Sequence, residues 1–105
     1  MAADPFKGGR YAEPSVLILT SLAGGPKHGY ALIQDIREFS GVELGAGTLY
    51  GALARLEGQR LIRALAADDR RRPYAITTDG SAALHEHLSV LARIARTGRS
   101  RLAVS

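Results

Sequence analysis

No cysteine occurs among the 105 residues. This excludes disulfide staples, thiol redox sensing and any Cys-ligated metal. Tryptophan is also absent, so no indole is available to stack on a planar aromatic ligand. Long apolar stretches are missing as well. The longest uninterrupted runs are four residues, Val16 to Leu19 among them, far short of the roughly 20 that span a bilayer. Neither a nucleophile elbow nor a phosphate-binding loop is present, because GGPKHG lacks the Walker spacing. His85 and His87 stand two apart, about 200° round a helix, and cannot hold one metal from the same side. With no convergent set of reactive groups the chain is not expected to be an enzyme, and no cofactor or metal is expected.

What is present is a globular composition, 46% apolar and 23% charged, of a size for one soluble domain with a modest core. Fourteen Lys and Arg against ten Asp and Glu give a formal charge of +4, which favours a polyanionic partner. The basic residues are unevenly placed. Before Arg55 only Arg37 lies in the middle of a helical pattern. The opening residues MAADPFKGGRYAEP lack the apolar core of a secretory signal, so residues 1–13 are expected to form a flexible arm of a cytoplasmic protein.

Pro14 followed by SVLILTSLA predicts a helix entered at its first turn and stopped by Gly24-Gly25-Pro26, apolar on most sides and so buried. HGYALIQDIREFSG predicts a second helix with Leu32, Ile33, Ile36 and Phe39 on one face, ended by Ser40-Gly41. After a loop near Gly41 to Gly45, GAGTLYGALARLEG puts Leu49, Ala52, Leu53 and Leu56 in one narrow stripe. Opposite stand Gly47, Gly51, Ala54 and Gly58, with Tyr50 and Arg55 on the flanks. Two packed helices joined by a short turn, the second with a bare outer face, make a helix-turn-helix.

Ile62 to Ala66 and Tyr74 to Ile76 are expected to pair as a hairpin, with Pro73 at a strand start or edge and Arg70, Arg71 and Arg72 at the tip. Thr77 can then cap a final helix with Asp79 in its first turn. Leu84, Leu88, Leu91 and Ala95 recur at steps of four, three and four, broadened by Val90 and Ile94, a coiled-coil type of seam. The fold class predicted is mainly α with a small β-hairpin (α+β): a winged helix-turn-helix over 14–77, a dimerisation helix over 78–97, and a short frayed tail over 98–105.

Together GPKHGYALIQDI, GTLYGALARLEGQRLI, DDRRRPYAITTDG and the closing Leu-rich helix resemble the PadR family of bacterial transcriptional regulators, over roughly Pro14 to Arg96. The resemblance implies a dimeric winged-helix protein, mostly a repressor, often released from DNA by a small molecule. It also implies a recognition helix near Gly47-Thr48-Leu49-Tyr50, a wing at Asp68 to Arg72 and a dimer helix after Thr77. Many members have Ser-Pro where this chain has Gly45-Ala46. Glycine at a cap costs only a few tenths of a kcal/mol relative to serine, so the helix should survive with a less sharply defined start.

B-DNA's major groove, about 12 Å wide, admits a helix to a depth set by the bulk of its outer face. Gly51 and Ala54 allow close approach, Thr48 and Tyr50 can donate to phosphates, and Arg55 can reach a phosphate or a guanine edge. Arg70, Arg71 and Arg72 can enter a minor groove or clamp phosphates. Lys27, His28 and Tyr30 at the start of the second helix are further contact candidates. Leu84, Leu88, Leu91, Ile94 and Ala95 are expected to face a second copy, so that the operator in double-stranded DNA is an inverted repeat. Any effector pocket would lie between the long helices and the first helix at that interface. The rival reading is a winged helix that binds protein, with its basic surface incidental.

Overall fold

The computed structural model describes residues 13–67 and 69–104. Residues 1–12 of the expected arm over 1–13, Asp68 of the expected wing and Ser105 of the expected tail lie outside them. Six elements follow in order: α1 (Pro14–Ala23), α2 (Gly29–Ser40), α3 (Ala46–Gly58), β1 (Ile62–Ala64), β2 (Tyr74–Ile76) and α4 (Thr78–Val104). Among the described residues no helix is long and apolar enough to cross a membrane.

α1 is the element around which the rest packs, touching α2, α3, β2 and α4. Pro14 fills a first-turn position where its missing N–H breaks no helical bond. Ile18, Leu19 and Leu22 are buried, with Val16 and Leu17 packed against them. α2 adds Leu32 and Ile36, both fully buried, and ends at Gly41, whose φ of 76° is left-handed and suits glycine. Phe39, expected on the same buried face, is 46% exposed. It sits in the last turn of α2, past the end of the core.

α3 buries Leu49, Ala52, Leu53 and Leu56 completely or nearly so. Burial of each leucine contributes roughly 1.5–3 kcal/mol, which fixes the rotation of the helix and leaves the opposite side outward. It starts at Ala46 from Gly45 without a side-chain cap bond, as expected of a chain lacking the Ser-Pro pair. The bonds that close it follow Gly58: Leu61 N–H donates to Leu56 O and Arg60 N–H to Glu57 O, both at 3.0 Å. That paired closure places Arg60 in the left-handed region at φ 63°, where glycine is usual.

β1 and β2 pair antiparallel with Ile62 opposite Ile76 and Ala64 opposite Tyr74. The first strand stops at Ala64 rather than Ala66, although Leu65 N–H still donates to the Pro73 carbonyl at 2.8 Å. Proline offers only that carbonyl to the ladder, so regular pairing ends there. On the far side of β2, Lys27 and Tyr74 exchange backbone hydrogen bonds of 3.1 and 2.9 Å. This single bridge ties the segment before α2 to the hairpin.

Thr77 caps α4: its Oγ1 accepts from Gly80 N–H at 3.0 Å and donates to the Arg60 carbonyl at 2.8 Å. Only Gly80 and Leu84 of α4 are buried, and every residue from His85 to Val104 is exposed. Leu84, expected in a seam between copies, is instead part of the protomer's own core, because the first two turns of α4 lie against it. The expected frayed tail is also corrected. α4 continues through Gly98 to Val104; one interior glycine costs about 1 kcal/mol, and the Arg, Leu and Ala residues after it favour helix.

Candidate nucleic-acid interface

One surface combines the outer side of α3, the start of α2 and the hairpin loop. On α3, a Cβ added at Gly47, Gly51 or Gly58 would meet nothing within 4 Å, and Ala54 is exposed beside them. The bare face is therefore open and not a close contact within the molecule. Thr48 and Arg55 are exposed along one edge, and Tyr50, 54% exposed, stands on the other.

Tyr50 borders a cleft of about 290 Å³ lined also by His28, Gly29, Tyr30, Arg70, Arg71, Arg72 and Tyr74. Three elements converge here: the N-terminus of α2, the second turn of α3 and the loop between the strands. The first turn of α2 aims unpaired amides outward, and three guanidiniums stand opposite. Asp69 and Arg70 both have left-handed backbones, φ 51° and 74°, which makes the tight reversal of the loop. Arg71 Nη1 lies 3.4 Å from His28 Nε2, a long contact that bridges loop and helix. Tyr30 is 65% exposed, its hydroxyl accepting from Gln34 Nε2 at 3.2 Å.

Lys27 is engaged within the protomer. Its ammonium donates to the Ser21 carbonyl at 2.5 Å and lies 3.9 Å from Asp35, which accepts the Ser21 hydroxyl bond at 2.5 Å. That arrangement ties α1, the loop after it and α2, while Lys27 also borders a second cleft with His28, Asp69 and Arg71. Two residues went unforeseen. Tyr74 enters the cleft through the Lys27 bridge, which has no sequence period to announce it. Gly29 was legible only as a glycine at a helix start where His28 is already the cap residue.

Against this geometry, the model of the Transcriptional regulator PadR-like family matches residues 18–86. The chain belongs to that family. PadR-like proteins are transcription regulators and not enzymes, and the solved structures agree in shape. A PadR family transcription regulator from Clostridium difficile R20291 is 26% identical with a TM-score of 0.76, covering 85% of this chain and 97% of its own. A transcriptional regulator from Clostridium thermocellum, also 26% identical, has a TM-score of 0.73 with 82% and 89% covered. In sequence the chain is 44% identical over 85 residues to an uncharacterized 37.1 kDa protein in transposon TN4556 of Streptomyces fradiae. Those residues are 81% of this chain and 25% of that protein, so the chain spans about a quarter of the relative's length. Within the PadR-like match lie α2, α3, the hairpin and the first turns of α4.

Proposed function

We propose that the protein is a sequence-specific DNA-binding regulator that acts as a dimer and represses genes until a small-molecule effector releases it. The observation that carries this reading is the open, side-chain-poor face of α3 at Gly47, Gly51 and Ala54, bordered by the cleft with three arginines. A helix bare on the outside admits close approach of its backbone to a smooth polyanion. Thr48, Tyr50 and Arg55 then meet phosphates or base edges at its margins, and Arg70 to Arg72 grip the strand alongside.

Binding to a random-sequence duplex tests this directly. Six or more phosphate contacts should weaken the affinity by about a thousandfold between about 50 and about 200 mM salt. A flat response would favour the protein-interaction module instead.

The dimer rests on α4. Leu88, Leu91 and Ile94 are 41%, 43% and 62% exposed, a run of apolar surface that one copy leaves in water. With α4 helical to Val104, the alternating three- and four-residue steps from Leu88, Leu91 and Ala95 continue through Gly98 to Leu102. A two-fold partner covers such a stripe. Leu88→Asp is expected to convert the sedimenting species to one of half the mass with helicity retained. An unchanged profile would move the seam elsewhere. The effector, on this reading, sits where the paired α4 helices meet α1.

A further inference from the structure

We infer that Gly29 is a positioning residue for DNA: its lack of a side chain lets Tyr50 lie against the first turn of α2 and holds its hydroxyl in the cleft. The inference rests on the DNA-binding reading above. A Cβ built on Gly29 would clash with the Tyr50 hydroxyl and lie 2.9 Å from its Cζ, so the phenol would have to move. Backbone conformation gives no other reason for glycine at this position. Gly29 is helical, and the glycines with positive φ are Gly25 and Gly41. Nor is it a cap, since His28 holds that position. Alanine is the better helix former, so the bare α-carbon answers to the ring of Tyr50 alone, with Leu49 Cδ2 at an acceptable 3.4 Å.

The contact does little for burial, because Tyr50 remains 54% exposed. Among the described residues its hydroxyl has no hydrogen-bond partner, which leaves the donor available. It sits beside the outward amides of α2 and the Arg70 to Arg72 loop, in one cleft with both. A phosphate oxygen placed there would accept from the phenol, an amide and a guanidinium together. Gly29 thereby joins two helices into one phosphate-facing edge, and its methyl derivative would swing the phenol out of line.

A double-mutant cycle on a random-sequence duplex of about 30 base pairs tests this, since phosphate contacts are indifferent to sequence. Gly29→Ala and Tyr50→Ala should each weaken binding by about tenfold, and the double variant should be no weaker than Tyr50→Ala alone. Losses that multiply, or wild-type affinity in Gly29→Ala, would overturn the inference. Tyr50→Phe keeps the ring and the packing; it should lose most of the same affinity, and full affinity there would sink the role of the hydroxyl. Should Gly29→Ala fail to fold, the double variant has room for the methyl, and its affinity relative to Tyr50→Ala decides in the same way. A wild-type chain indifferent to duplex and salt would remove the DNA reading and this inference with it, whereas a failed cycle in a salt-sensitive wild type removes this inference only.

Discussion

Gly51→Leu is expected to lower affinity for duplex DNA by at least about a hundredfold while raising the thermal stability of the protein slightly. The two effects have separate origins. Outside its own stretch of helix, nothing lies within 4 Å of a Cβ at Gly51, so the new side chain starts into open space in the free protein. Leucine also favours helix over glycine by roughly 0.7–1 kcal/mol. In a complex the same side chain would hold α3 away from the groove, and every contact made from its edges would lengthen at once. Anisotropy of a labelled duplex beside a melting curve reads both effects. Undiminished affinity would mean that the bare face of α3 does not meet DNA.

Gly80→Ala should do the reverse, damaging the fold at a position far from the proposed interface. A Cβ there would fall onto the Leu61 carbonyl oxygen and lie 2.9 Å from Ile76 Cγ1. Backbone cannot yield as a flexible side chain can. The Leu61 carbonyl is moreover held in place by Thr77 N–H at 3.1 Å, and Thr77 in turn by Arg60. Overpacking of this kind costs about 3 kcal/mol, a drop in melting temperature on the order of 15 °C for a domain of this size. Chemical denaturation of wild type and variant measures it, and a midpoint shift equivalent to less than about 1 kcal/mol would show that α4 docks more loosely than described.

Much of this was legible in advance because burial imposes a period. Leu49, Leu53 and Leu56 fixed both the helix and the side it shows to solvent. Pro73 restricted where the hairpin could pair, and Thr77 marked a helix start by its hydroxyl. Other features carried no such mark. The Lys27–Tyr74 bridge is one residue long and joins positions far apart in the chain, so no spacing reveals it. A leucine at position 84 satisfies a protomer core and an intersubunit seam equally well, and only the docking of the first turns of α4 decides between them. Gly98 has the same ambiguity: the residue that ends many helices is also tolerated inside one when strong helix formers follow. The site was legible as composition, a bare face and a run of arginines, while its joint at Gly29 and Tyr50 depends on the angle between two helices.

The twenty exposed residues at the end of α4 also bear on dosage. If two chains pair along them, the fraction paired obeys mass action, and dilution returns each chain to a form that presents a single reading head. Occupancy of a two-fold site would then climb with the square of protein concentration while singles predominate. On the repressor reading proposed above, a gene under such control would stay on at low copy number and shut off over a narrow range of expression, a threshold that comes from the length of one helix.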